Sequence, residues 1–214
     1  YGVYKVEGVV VANKWAQLQE TNSAAALREG RTTLDDVIEY SSTTSSTRVE
    51  EGIRYNEPIT FNVDTTVDMM GKTVTLFIEK TTILSNSKVL GVALKDDVNV
   101  INGTLETESD VEKYLKGTGV AVSTATEYYV NYGYTGDGSE GAKDARNLIN
   151  IYPNTALGES NDYFNGNGID VEVIDNNNDG TAEYVLYRQE TLSEVNRYNE
   201  KSETITFYEK PAIG

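Results

Sequence analysis

Residues 169–187 read IDVEVIDNNNDGTAEYVLY: two runs of alternating apolar and polar residues on either side of a stretch of Asn and Asp that holds a glycine. Alternation with period two sends successive side chains to opposite faces, so each run reads as a β-strand. Asn, Asp and Gly between them tolerate the left-handed backbone of a tight connection, and the whole stretch predicts a β-hairpin. Its loop also has the spacing a hard cation needs. Asp175, Asn177 and Asp179 occupy positions one, three and five of a calcium-loop pattern, Gly180 the sharp turn at position six and Glu183 position nine. The EF-hand form wants a bidentate Glu at position twelve, where this chain has Leu186, and it wants helices where this chain alternates as strands. A calcium-binding hairpin loop fits better, with side-chain oxygens from Asp175, Asn177, Asp179 and Glu183 and the carbonyl of Thr181. The same residues also make an Asx-rich turn that needs no metal, because their side chains bond their own backbone. Both readings stand on the sequence.

Composition narrows the chemistry around this loop. The 214 residues include Cys 0 and His 0. Without imidazole or thiol there is no Ser-His-Asp triad, no cysteine nucleophile, no disulfide and no His- or Cys-ligated zinc. Asp+Glu 34 against Lys+Arg 18 gives a formal net charge of -16. A field of that sign repels phosphate backbones and anionic lipid, so neither nucleic acid nor membrane insertion is expected, and it gathers divalent cations at carboxylates. The abundance of Val, Ile, Thr and Tyr suits a core built from strands.

Elsewhere the pattern is again of short strands and turns. Strands are predicted over 3–13, with Gly8 as a bulge or bend, over 53–63, 72–80 and 88–94, with a turn at Met70-Gly71, and over 120–123 and 127–134. Asn102-Gly103 reads as a hairpin turn, and 192–207 as a further hairpin. Short helices are expected at 23–28, at 109–117 with Ser109 and Glu112 as a capping box and Gly117 as the stop, and at 142–151; residues 40–47 read as a loop or an exposed edge. The expected fold is mainly β with a few short helices, as one or two small β-barrels or sandwiches built from hairpins. A boundary near residue 105 would separate a barrel-like N-terminal domain, 1–105, from a β-rich C-terminal domain, 106–214, that carries the Asp/Asn-rich loop.

The segments KVEGVVVAN (5–13), VDTTVDMMGKTVTLFIE (63–79) and DVEVIDNNNDGTAEYVLYRQETLSEV (170–195) resemble the non-anchor region of Gram-positive (Firmicutes) surface-layer proteins, which carry SLH anchoring repeats elsewhere in their chains. The Asp175 loop is itself similar to the Asp-x-Asp-x-Asp-Gly-x-x-Asp loops of integrin-type propellers. The first resemblance implies an exported, non-catalytic β-rich module at the cell wall, with other surface-protein subunits or wall glycans as partners. It carries no catalytic residues over to this chain, and the SLH repeats are absent from it.

Four further features compete for attention. Gly136 to Gly141 spells G-x-G-x-x-G with Glu159 downstream, but Asp137 and Glu140 would set negative charge against a pyrophosphate, so a surface turn is the better reading. Gly71-Lys72-Thr73 matches the end of a phosphate loop whose upstream glycine is here Thr66, which removes it. Tyr128, Tyr132 and Tyr134, with Val130, would share one strand face, either as a sugar-stacking platform for a carbohydrate-binding or adhesin module or as packed core. The acidic pairs Asp35-Asp36, Glu50-Glu51 and Asp96-Asp97 read as solvated surface, because glycosidase carboxylates come from distant strands across a cleft. The expectation is a structural or interaction module that is not an enzyme, secreted to the cell surface and stabilised by calcium, with a glycan-binding module as the alternative.

Overall fold

The structure is a computed structural model and describes residues 3–18, 27, 29–40, 52–105, 111–130, 132–137, 169–188, 195–202 and 204–207. The protein is mainly β, as expected, and among the described residues the helices are short. The first sheet is built from β1 (Val3–Ala12), β2 (Thr32–Tyr40), β3 (Ile53–Arg54), β4 (Ile59–Phe61), β5 (Thr73–Glu79) and β6 (Lys88–Leu94). Its order is β3-β2-β1-β5-β6, with β4 also pairing β2, and every pairing is antiparallel. The second sheet contains β7 (Asn99–Leu105), β8 (Glu127–Val130), β9 (Gly133–Asp137), β10 (Ile169–Asp175) and β11 (Tyr184–Arg188) in the order β7-β10-β11-β8-β9. The hairpin β10–β11 enters between β7 and β8, where β11 runs parallel to β8. A helical turn, α1 (Val111–Tyr114), follows β7, and β12 (Val195–Asn199) pairs β13 (Thr204–Phe207) as a separate exposed ribbon. Among the described residues both larger sheets are open, so they form packed sheets and not closed barrels.

Gly8 marks a bulge, as its sequence context predicts, but the extra residue belongs to the neighbouring strand. Glu7 pairs Ile38 and Val9 pairs Asp35, so Gly8 faces two residues of β2, one of which, Asp36, has φ 49. A Cβ on Gly8 would meet the Asp35 carbonyl oxygen at 2.9 Å, which only glycine avoids. The bulge also explains why Leu34 and Val37, three positions apart, both point into the core: the extra residue resets the alternation. On β5, with no such insertion on its side, Val74, Leu76 and Ile78 are buried at period two.

Two core clusters result. One lies between the second sheet and α1, with Val171, Val173, Val185, Tyr128 and Tyr187 against Val111 and Leu115. The larger one draws on both sheets: Ile174, Leu186 and Tyr129 join Val6, Val10, Phe61, Met70 and Leu76. The second sheet therefore adds to a core on each side, with Val171 and Val173 in the smaller cluster and Ile174, at the end of the alternation, in the larger one. The second sheet takes β7 from the N-terminal side of residue 105, and the larger core spans both sides of that position.

Several expectations need correction. Asn102-Gly103 is not a turn but the middle of β7; a Cβ on Gly103 would overlap the Tyr114 ring and hydroxyl, so the glycine is there to admit α1. Residues 127–134 do not form one strand: Tyr132 at φ 68 turns the chain between β8 and β9, and the stripe of Tyr128 to Tyr134 is split across a hairpin. Residues 53–63 form two short strands, β3 and β4, interrupted before Ile59 by Pro58, and 120–123 contribute only an isolated bridge, Ala121 to Thr181. Gly136 and Asp137 are strand residues antiparallel to β8, an arrangement unlike the parallel strand of a dinucleotide fold. Gly117, with φ 88, stops the turn that follows α1. The expected helices at 23–28 and 142–151, the Ser109 cap, Glu50-Glu51, Glu159 and residues 41–47 lie outside the described residues, as does Arg28. Among the described residues no helix is long and apolar enough to cross a membrane.

Candidate functional site at the joint of the two sheets

The predicted hairpin is present, with Ile174 paired to Tyr184 as the last rung before the loop. Asp175 is completely buried, and both its oxygens are taken by the loop backbone: the Asp179 N–H donates to Oδ1 at 3.2 Å and the Gly180 N–H to Oδ2 at 2.9 Å. The Asp179 N–H also donates to Asn177 Oδ1 at 2.9 Å, and the Thr181 N–H to Asp179 Oδ1 at 2.8 Å. Asn178 at φ 57 and Gly180 at φ 88 supply the left-handed turns. This is a complete Asx-turn network, the form in which short acidic side chains replace missing ladder partners. Glu183 closes the other side, its Oε2 accepting the Asn176 N–H at 2.6 Å. Burial raises the Glu183 carboxyl above its ordinary value; the N–H of Asn176 opposes the shift, and the charges of Asp175 and Asp179 add to it. Among the described residues no group of three or more acidic side chains is placed to hold a metal ion. The loop residues Asp175, Asn177, Asp179, Thr181 and Glu183 are thus brought together, each of the four side chains with an oxygen already accepting a backbone N–H.

The residue between them, Asn176, was not singled out by the sequence, and it does something different. Its Oδ1 accepts the Thr73 N–H at 2.7 Å and its Nδ2 donates to the Gly71 carbonyl at 2.8 Å. Both partners belong to the turn that leads into β5, so one amide side chain fastens the second sheet to the first. Gly71-Lys72-Thr73, dismissed as a phosphate loop, is the other half of this joint. Gly71 has φ 74, and a Cβ there would press on Ile174 Cδ1 at 3.0 Å. Lys72 forms a buried ion pair with Glu172 of β10, and its Nζ also donates to the Asp68 carbonyl at 2.6 Å. Arg188 Nη2 stands 3.8 Å from the other oxygen of Glu172. Magnitudes rank these contacts: burying Ile174, Leu186 and Tyr129 contributes about 1.5–3 kcal/mol per side chain, against about 1 kcal/mol for a typical hydrogen bond. Apolar contact holds the sheets together, and Asn176 with Lys72 fixes their register.

Away from the loop the joint opens into a cleft of about 470 Å³, lined by Asp68 and Lys72 from the first sheet's side and by Asn102, Thr104, Asp170, Glu172 and Arg188 on β7, β10 and β11. Of the tyrosines read either as a sugar platform or as packed core, Tyr128 takes the second role. Tyr128 is fully buried with its ring stacked on Tyr187, centroids 6.4 Å apart, so it is core and has no face to offer a sugar. Tyr132 is half-buried and bonds Arg188, while the Tyr134 side chain lies outside the description. Of the paired acids, Asp36, Asp96 and Asp97 are exposed, as solvated residues should be.

The signals for the missed residues were faint. Glu172 sits on the polar face of an alternating strand, where nothing local marks it as buried or identifies Lys72 as its cation. No family model, no characterised protein and no solved structure matches this chain.

Proposed function

We propose that this chain is a non-catalytic structural or interaction module of an exported bacterial cell-surface protein, in which the Asp175 loop locks two β-sheets into one unit and is stabilised by calcium. The Asn176 clamp carries the reading, because it makes the loop a structural joint instead of an exposed binding tip. The disposition of the buried acids supports it. Glu7 pairs Lys5 at 2.9 Å and accepts the Tyr40 hydroxyl at 2.8 Å, while Glu39 pairs Lys80 and accepts the Tyr55 hydroxyl at 2.7 Å. Burial, then the neighbouring carboxylate, pushes Tyr40 and Tyr55 each up to about 12, which keeps both phenols as donors. Glu172 and Asp175 are engaged as described, so the four buried acids among the described residues all have structural partners. Carboxylates tied in this way to neighbouring side chains and backbone are held in place by the fold, unlike a general acid that must reach a substrate.

Calcium enters this reading through charge. Asp175, Asp179 and Glu183 act on one another in a partly buried loop, and a dication would offset that repulsion. Thermal unfolding with calcium and with chelator tests it. Calcium at about a hundredfold over its Kd should raise Tm by roughly 5–10 °C, and Asp179→Ala should abolish the rise. Identical melting curves in calcium and chelator would remove the ion and leave the joint.

A further inference from the structure

We infer that the cleft beside the joint binds a neutral saccharide. Its volume of about 470 Å³ lies within the span of small-ligand sites, roughly 300–1,000 Å³, but its lining is polar where most such sites are apolar. Lys72 and Glu172 form the floor, buried and neutralising each other. Thr104, Asp170 and Arg188 stand in one row across β7, β10 and β11, and Asn102 occupies the next row on β7. Asn102, Thr104 and Asp170 are exposed, and Arg188 is half-buried.

The ordering of these groups argues for hydroxyls. Asp170 Oδ1 accepts from Thr104 Oγ1 at 2.9 Å, which leaves most of that carboxylate open to donors from a ligand. Across the ladder, the half-buried Arg188 offers only donors. Asn102 offers both. A sugar hydroxyl donates and accepts at once, so a row of acceptor, donor and amide suits a chain of vicinal hydroxyls better than it suits a charged group. An anion would face Asp170 and Asp68; a cation would face Arg188. The inference goes beyond the scaffold reading: loss of the calcium response would leave the cleft as it is, and failure to bind sugar would leave the joint as it is.

Saturation-transfer NMR and calorimetry on the intact chain should use neutral gluco-, manno-, galacto- and N-acetylglucosamine oligomers, with oligogalacturonate and chitosan oligomers as charged controls. The expected result is binding of at least one neutral oligomer below millimolar concentration. Asp170→Asn and Arg188→Met should each weaken it roughly tenfold, the scale of one charge-assisted hydrogen bond, while Asp96→Asn on an exposed turn leaves it unchanged. Asp170 is exposed, so that variant folds whatever happens to Arg188, and its Tm verifies this. No binding of any neutral oligomer at millimolar concentration, binding of charged oligomers alone, or binding that survives both cleft substitutions would each overturn the inference.

Discussion

Asn176 and Thr73 lie 103 positions apart in the chain, yet the side-chain oxygen of the first accepts the backbone N–H of the second at 2.7 Å. Thr73 opens β5, so this bond satisfies a donor at the end of one sheet with an amide from the hairpin loop of the other. Gly71, two residues earlier, returns its carbonyl to the same amide. The loop that reads as a cation site in sequence is, in the fold, a fastening.

The Lys72–Glu172 pair has side chains 9% and 6% exposed, so breaking it leaves a charge out of water. Lys72→Met should cost about 3–5 kcal/mol, lessened by Arg188, which remains near Glu172. The double variant Lys72→Met with Glu172→Leu should recover most of that loss, since two buried charges replaced by apolar groups are close to neutral. Urea unfolding of the two single variants and the double gives the coupling directly; additive losses would show that the pair is not a unit.

Gly103 sits beneath Tyr114, and the cost of filling that space is steric. Gly103→Ala should lower stability by about 1–3 kcal/mol, and adding Tyr114→Leu should restore part of it by removing the ring that a Cβ would strike. A Gly103→Ala protein as stable as the parent would contradict the docking of α1 on β7.

Glu183 gives the loop a pH dependence of definite sign. Burial, then the charges of Asp175 and Asp179, hold its folded-state value above the ordinary 4.5, so the folded protein binds this proton more tightly than the unfolded chain does. The contribution is fully present below the unfolded value and is lost as pH rises through the folded one. In chelator, acidification from neutral toward that value should therefore stabilise the protein through this group. Asp68 and Asp97 have lowered values, chiefly from hydrogen bonds with Thr66 and Lys95, and act oppositely. Comparison with Glu183→Gln isolates the effect: the variant should be the more stable at neutral pH and lose the advantage on acidification. With calcium present the sign should invert, because a bound dication keeps the carboxylate ionised.

The β10–β11 hairpin, the turn at Gly71 and the bulge at Gly8 were legible in the sequence because each rests on local chemistry: alternation, a left-handed glycine, a residue with no Cβ. Asn102-Gly103 misled for the same reason, since a local turn signal cannot report that Tyr114 needs the space. The alternation over 127–134 continued through Tyr132 because its positive φ is imposed by tertiary contacts and contradicts its residue type. For the site, Asp175, Asn177, Asp179 and Glu183 were visible through their spacing. Asn176 was hidden among its neighbours, and Lys72 and Glu172 could not be paired, because their partnership exists only once two sheets have met.

Amide hydrogen exchange at Thr73 tests the joint most directly. The account predicts that this N–H is protected to nearly the same degree as the amides of β5 and β10, and that Asn176→Ala, at a cost of about 2–3 kcal/mol from two buried backbone groups left unsatisfied, releases it while Val74 to Ile78 stay protected. A Thr73 amide that exchanges freely in the parent protein, or is equally protected in Asn176→Ala, would contradict it.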